Sequence, residues 1–131
     1  MGAAGGFNYQ DPDWRKAVAK ATGGIDVVFD GAPAGSYAHY ARALNSGARV
    51  VLYGSTAGPQ MTVNVPELFL KNIALLGTNV GNLPEYRAML AFVEQHRLRP
   101  VIDRAFGFDA AADALTYLDG AHRFGKVTIA R

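Results

Sequence analysis

Three short apolar segments of this chain each lead into a glycine, and the three glycines are evenly spaced. The segments are rich in β-branched and other apolar residues and occupy positions 25–29, 49–53 and 73–76. Each is followed by the pattern Gly-x-x-x-Gly, whose first glycines Gly31, Gly54 and Gly77 are separated by 23 residues. That step fits one strand, one turn and one helix, the repeat of parallel α/β sheets that bind ligands at their strand ends. The spacing therefore predicts an α/β fold with a nucleotide or cofactor site beyond the strands.

Local patterns predict where the individual elements lie. Dense β-branched and apolar segments predict strands at 25–30, 49–53, 73–78, 101–106 and 126–130. Apolar stripes and stop signals predict helices at 12–22, 37–44, 66–70, 84–95 and 110–118. We expect Asp11, Ser36 and Asp109 to be the N-caps of three of these helices. We also expect the strand 25–30 to be covered on both faces, as in a parallel sheet.

The repeating order of strand and helix changes near Pro100. After this residue the chain predicts a strand, an alanine-rich helix and a closing strand, without another Gly-x-x-x-Gly pattern. We therefore expect residues 1–99 to form the parallel layer and residues 100–131 to form a separate β-α-β segment.

Composition excludes several classes of function. The chain has no cysteine, so disulfides, thiolate chemistry and a cysteine-based zinc site within it are excluded. Its 13 basic and 11 acidic residues are scattered rather than clustered, which argues against nucleic-acid binding. There is no apolar segment long enough to span a bilayer, and the first residues do not form a secretion signal. We expect no membrane association and a cytoplasmic location.

The glycine turns have a functional and a purely structural interpretation. A glycine after a buried strand allows close approach of a ligand to the backbone, but glycine is also a common way to end a strand. The phosphate-binding fingerprint Gly-x-Gly-x-x-Gly after a strand is not found, since the glycines of 1–6 follow no strand. We therefore do not expect a pyrophosphate cradle in this chain.

Other polar residues are weaker candidates. Asp30 at a strand end is able to accept a hydrogen bond from a ribose hydroxyl, but an aspartate before glycine is more often a turn former. His39, His96 and His122 lie on separate segments without metal-ligand spacing. No serine lies in a Gly-x-Ser-x-Gly motif, so a hydrolase triad is not supported. We predict no metal site and no catalytic residue within this chain.

Four segments together resemble the C-terminal part of a medium-chain dehydrogenase/reductase. They are Gly6–Tyr9, Gly23–Gly31, Gly47–Gly54 and Phe124–Ile129. They are most similar to the quinone oxidoreductase-like and zinc-type alcohol dehydrogenase-like branch. The resemblance implies a partial Rossmann-like parallel sheet with flanking helices, plus a C-terminal β-α-β return segment. Residues 1–99 would be the later half of the cofactor domain, and residues 100–131 would return to the catalytic domain.

By the family pattern, the catalytic domain, the first two strands and the fingerprint would all lie outside this chain, together with the zinc ligands. The resemblance implies NADP(H), or NAD(H), as cofactor and assigns residues to its parts. The adenosine and ribose side corresponds to Gly31 and Ala32. The nicotinamide side corresponds to Tyr53, Gly54, Ser55 and Thr56, and the carboxamide to Gly77, Thr78 and Asn79. Candidates near a 2′-phosphate are Tyr9, Arg123 and Lys126.

The resemblance also implies a partner and two competing functions. In the family the strand at Ile73–Thr78 pairs with its symmetry mate, which predicts a homodimer through this edge strand. The first function is a fragment of an NADP(H)-dependent oxidoreductase that acts on a carbonyl or quinone and contributes the nicotinamide side of the site. The alternative is a non-catalytic dimerisation or interaction module derived from such an enzyme.

Overall fold

The computed structural model describes residues 2–120 and 123–131 and confirms the α/β class. The strands are β1 (Ile25–Asp30), β2 (Leu44–Leu52), β3 (Ala74–Gly77), β4 (Ile102–Gly107) and β5 (Lys126–Ala130). The helices are α1 (Trp14–Thr22), α2 (Pro33–Tyr40), α3 (Val65–Lys71), α4 (Leu83–Gln95) and α5 (Ala111–Asp119). Short 3-10 turns occupy Ala41–Ala43 and Phe108–Ala110. The chain divides into two compact units, one ending at Val80 and one beginning at Gly81. The predicted domain boundary at 99/100 stays a prediction.

The first unit is built on a three-stranded parallel sheet in the order β1-β2-β3. Val28, Val50 and Leu75 are in register across the three strands and share one face. Val50 is fully buried there, against a cluster that includes Tyr37 and Tyr40 of α2. The two tyrosine rings meet edge to face, with centroids 5.5 Å apart. The core of the first unit thus lies between the sheet and its helices.

The opposite face of the same sheet is open, so the prediction that strand 25–30 is covered on both faces was wrong. Phe29, Val51 and Leu76 are in register on this second face. Phe29 is 73% exposed and Leu76 44% exposed. The reason is that the residues of α1 and α2 pack with the cluster around Val50, on the other side of the sheet.

Two helices of the first unit begin elsewhere than predicted. α1 begins at Trp14 rather than 12, with Asp13 rather than Asp11 at its cap position, and a separate turn in which the N–H of Trp14 donates to the carbonyl of Asp11 precedes the helix. α2 begins at Pro33, whose fixed φ suits the first turn of a helix, so Ser36 lies inside the helix and is not its N-cap. α2 also ends before the predicted Leu44, which is already the first residue of β2.

The second unit contains a β-α-β segment, as predicted. β4 and β5 pair in parallel, and α5 packs on both strands. Asp109 does not cap α5, because a 3-10 turn at 108–110 precedes the helix and its cap position is Ala110. α4 begins with a capping box, in which Asn82 and Glu85 exchange side-chain-to-backbone hydrogen bonds.

Candidate functional site

The turns after β1 and β2 are in direct contact at the carboxyl edge of the parallel sheet. The N–H of Tyr53 donates to the carbonyl of Asp30, and the N–H of Thr56 donates to the carbonyl of Gly31, both at 3.1 Å. A Cβ added to Gly54 would lie 2.7 Å from the carbonyl oxygen of Gly31. That separation is closer than real Cβ contacts, so this position requires glycine. The structure therefore brings four predicted site residues together, Gly31, Tyr53, Gly54 and Thr56.

The third turn continues the same edge. The N–H of Thr78 donates to the carbonyl of Leu52 at 3.1 Å, which ties the residues after β3 to the end of β2. A Cβ added to Gly77 would meet no atom within 4 Å. Ser55, Thr78 and Asn79 are exposed beyond the strand ends. Space next to Gly77 is therefore open at the point where a ligand at the strand ends would lie.

The three Gly-x-x-x-Gly patterns adopt different local structures and are not three copies of one turn. Gly35 lies within α2, where a Cβ would come 3.2 Å from the Cβ of Ala57. Gly58 adopts φ +123° in the turn after β2, and its N–H donates to the carbonyl of Ser55. Only the first glycine of each pattern has an equivalent place, at the end of a parallel strand.

Asp30 organises the turn after β1 through a buried hydrogen-bond network. The residue is 7% exposed. Its Oδ1 accepts the N–H of Ala32 at 2.8 Å, and its Oδ2 accepts the hydroxyls of Ser36 at 2.5 Å and Tyr40 at 2.7 Å. The turn-forming interpretation is thus the one that the structure supports. The i, i+4 spacing of Ser36 and Tyr40, which places both on one helix face, is the signal that sequence reasoning missed.

The same hydrogen-bond network shifts the pKa values of Asp30 and Tyr40. Burial on its own would raise the pKa of Asp30, but the hydrogen bonds from Ser36, the Ala32 amide and Tyr40 together lower that pKa below its ordinary value. Burial, together with the hydrogen bond to Asp30, raises the pKa of Tyr40. Asp30 is therefore a carboxylate, and Tyr40 a neutral donor, at neutral pH.

A cleft of about 640 Å³ lies between residues 9–14, which include the start of α1, and helix α2. It places two predicted site residues, Tyr9 and Ala32, on one surface. Trp14 and His39 also line this cleft and were not among the predicted site residues. Trp14 and His39 lie close together because of the way α1 packs against the sheet, and no local sequence pattern predicts this contact.

Arg123 and Lys126 lie in the second unit. The guanidinium of Arg123 donates to the carbonyl of Leu118 at 2.6 Å, and the backbone N–H of Lys126 donates to the carbonyl of Val101 at 2.8 Å. Their assignment to a 2′-phosphate stays a prediction. His122 falls outside the described residues.

Within residues 2–120 and 123–131 no three His, Asp or Glu side chains lie close enough to hold a metal ion together. In the same residues no helix is both long and apolar enough to cross a membrane.

The chemistry of the carboxyl edge fits a nicotinamide. Ligand sites combine apolar or backbone surface with a few polar groups that fix the orientation of the ligand. The turns provide glycine backbone at Gly31, Gly54 and Gly77 and the side-chain hydroxyls of Thr56 and Thr78. The carboxylate of Asp30 is occupied by three donors.

Comparison with known proteins identifies the family. Residues 1–129 match the family described as zinc-binding dehydrogenase, and the chain belongs to this family. This match confirms the resemblance to the medium-chain dehydrogenase/reductases, which are a family of oxidoreductases.

Individual relatives agree with this assignment. The chain is 33% identical to the zinc-type alcohol dehydrogenase-like protein YogA of Leptosphaeria maculans, over 98% of this chain and 38% of that protein. It is 27% identical to the quinone oxidoreductase-like protein 2 of Bos taurus, over 98% of this chain and 40% of that protein. A crystal structure of an NAD-dependent alcohol dehydrogenase superposes with a TM-score of 0.85 at 30% identity, over 99% of this chain and 38% of that one. The chain thus spans about two fifths of the length of these relatives.

Proposed function

We propose that this chain forms the nicotinamide side of the cofactor site in an NADP(H)-dependent oxidoreductase that reduces a carbonyl or quinone, or oxidises an alcohol. The observation that carries the proposal is the meeting of the turns at the carboxyl edge, with Gly54 held against the carbonyl of Gly31 and open space at Gly77. Ligands of open parallel sheets bind at this edge. When bound, the nicotinamide supplies hydride transfer, and the protein supplies orientation.

Each turn has a defined part in this proposal. The turn Tyr53–Thr56 lies beside the ring, and its contact with Gly31 keeps it in place. Thr78 and Asn79 bind the carboxamide. Asp30 acts as a positioning residue, because its bond to the Ala32 N–H holds the turn after β1 in the conformation that Gly54 contacts. The side chains thus orient the cofactor, and none of them is assigned a proton transfer.

A blocking substitution tests the proposal. Gly77→Phe places a ring in the open space beside Gly77, so we expect NADPH binding by calorimetry to weaken at least about tenfold while the fold is retained. Gly107→Phe is the matched control, since Gly107 also ends a parallel strand and a Cβ there also meets no atom within 4 Å. Equal NADPH affinity in the wild type and Gly77→Phe would refute the proposal.

The domain organisation belongs to the same proposal. Residues 1–99 are assigned to the later half of a Rossmann-like cofactor domain and residues 100–131 to a segment that returns to the catalytic domain. The chain spans 38% of the length of one relative and 40% of another. A cytoplasmic location stays a prediction from the cysteine-free composition.

We also propose a homodimer in which β3 pairs with its symmetry mate. Within the described residues β3 pairs with β2 alone, so its other edge has free backbone donors and acceptors. A two-fold axis at β3 would bring equivalent residues of the two copies together. This edge also supports the alternative function, a dimerisation module without catalysis.

An introduced cysteine tests the dimer, because the chain has none of its own. Leu76→Cys, in β3, is expected to form a covalent dimer under mild oxidation. Tyr86→Cys, on an exposed position of α4, is the control and is expected to stay monomeric. Efficient dimer formation without any NADPH binding would favour the alternative function, a dimerisation module without catalysis. Equal cross-linking of both variants would contradict pairing through β3.

A further inference from the structure

A cavity of about 380 Å³ lies between β4 and α5 in the second unit. Its lining consists of Arg104 and Phe106 from β4 and of Asp113, Thr116 and Tyr117 from α5. The volume is within the range of small-molecule sites, about 300–1,000 Å³. Two side chains of opposite charge therefore share one small cavity with two aromatic rings.

The two aromatic rings position the guanidinium of Arg104. Its Cζ lies 4.9 Å from the ring centroid of Phe106 and 5.2 Å from that of Tyr117, within the range of a cation–π contact. The hydroxyl of Tyr117 donates to Oδ2 of Asp103 at 2.7 Å, which fixes the second ring. The guanidinium itself forms no hydrogen bond or ion pair with the residues that the structure describes. Its planar set of donors is therefore available, and it matches the geometry of a carboxylate.

Asp113 and Thr116 provide acceptors from one face of α5, because residues three apart are neighbours on a helix. Within residues 2–120 and 123–131 the Asp113 carboxylate forms no hydrogen bond or ion pair. The Thr116 hydroxyl donates to the carbonyl of Ala112 at 3.0 Å, and its oxygen is still able to accept a hydrogen bond. These two acceptors fit an ammonium group.

The opposite charges of Arg104 and Asp113 line the same cavity without forming an ion pair with each other. A ligand with both a carboxylate and an ammonium group would pair with both side chains. A ligand with a single charge would leave one of them unpaired and next to a like charge, which is unfavourable. An α-amino acid carries both groups on one carbon, and an aromatic side chain would add contact with the half-buried rings of Phe106 and Tyr117.

We propose that the cavity between β4 and α5 binds a free α-amino acid with an aromatic side chain, in its zwitterionic form. Arg104 binds the carboxylate, Asp113 and Thr116 bind the ammonium group, and the rings of Phe106 and Tyr117 contact the side chain. The inference does not depend on the proposed function, because every residue that it uses lies in the second unit and none is a candidate cofactor residue.

The test compares three ligands that differ in their charged groups. L-phenylalanine carries both groups, phenylpropionate lacks the ammonium group, and phenylethylamine lacks the carboxylate. Each ligand is titrated into the purified chain by calorimetry. Because a hydrogen bond between charged groups contributes to affinity, we expect L-phenylalanine to bind at least about tenfold more tightly than either analogue.

Two substitutions assign the charged groups to their partners. Arg104→Met should weaken the binding of L-phenylalanine at least about tenfold without weakening that of phenylethylamine. Asp113→Asn should weaken L-phenylalanine to a similar degree without weakening phenylpropionate. The matched controls are Arg99→Met and Asp109→Asn, which remove the same charges from the second unit at residues that do not line the cavity. Both controls should bind L-phenylalanine as the wild type does.

Three results would each overturn the inference. The first is the absence of saturable binding of L-phenylalanine at millimolar concentration. The second is an analogue that binds as tightly as L-phenylalanine, since equal binding of phenylpropionate would indicate a simple anion site. The third is that Arg104→Met and Asp113→Asn bind L-phenylalanine as tightly as their controls.

Discussion

Removing the hydroxyl of Tyr40 tests whether the network around Asp30 holds the first turn. In Tyr40→Phe the ring remains in the core and keeps its edge-to-face contact with Tyr37. The variant loses the 2.7 Å hydrogen bond to the buried Asp30 carboxylate. The substitution therefore isolates one charge-assisted hydrogen bond from the packing of the ring.

The structure sets the expected size of the effect. A hydrogen bond to a charged group contributes about 1.5–3 kcal/mol to stability. Asp30 keeps its bonds from Ala32 and Ser36, so no carboxylate oxygen is left without a donor. We therefore expect the lower part of that range, a loss of about 1.5–2 kcal/mol in the free energy of unfolding of the first unit.

The assay is urea unfolding followed by the fluorescence of Trp14, which packs against the core of the first unit. Tyr37→Phe is the matched control, because its hydroxyl forms no hydrogen bond with the described residues although its ring is equally buried. We expect this control to change the free energy by less than about 0.5 kcal/mol. Equal losses in the two variants would refute the role given to the hydrogen bond.

The same network predicts a pH dependence. The folded pKa of Asp30 lies below its ordinary value of 3.8, because its hydrogen bonds outweigh the effect of burial. Asp30 therefore stabilises the fold above about pH 3.8, and this contribution is lost as the pH falls through the lower folded pKa. Since Tyr40 helps to lower that pKa, the difference in stability between the wild type and Tyr40→Phe should shrink in the same window. A difference that stays constant down to pH 2 would contradict this reasoning.

Two further substitutions test contacts in the first unit. Gly54→Ala places a Cβ 2.7 Å from the carbonyl oxygen of Gly31 and should cost about 1–3 kcal/mol in urea unfolding, whereas Gly77→Ala should be nearly neutral. Comparable stability of the two would contradict the close contact of the turns. Lys71→Met removes donors to the carbonyls of Leu44 and Arg42, at 2.8 and 3.2 Å, and should cost about 1–2 kcal/mol. The control is Lys20→Met, at an exposed position in the last turn of α1. An equal loss of unfolding free energy in this control would show that the hydrogen bonds of Lys71 do not stabilise the fold.

The elements that follow from local chemistry could be predicted from the sequence. The strand at 25–30 has the predicted bounds, because a dense apolar segment between glycines has few other ways to fold. The start of β2 was missed, since Asn45, Ser46 and Gly47 are typical of a turn. In the structure the Asn45 side chain donates to Asp26 at 3.0 Å, and Gly47 takes φ +78° within the strand.

In the candidate site, the positions of the glycine turns could be predicted from the sequence, but the contacts between the turns could not. Glycine after each strand gave the positions of the turns, because parallel strands end at one edge of the sheet. The contact between Gly31 and Gly54 depends on the register of β1 with β2, which spacing alone does not set. The cleft lined by Trp14 and His39 depends on tertiary packing between residues 25 positions apart in sequence.

The central claim is that NADPH binds at the carboxyl edge of β1, β2 and β3. Its most direct test is a titration of the isotope-labelled chain with NADPH, followed by amide chemical shifts in NMR spectra. The account predicts saturable shifts in the turns at 31–32, 53–56 and 77–79, with the amides of β4 unaffected. Shifts confined to other residues, or no saturable shift at millimolar NADPH, would contradict it.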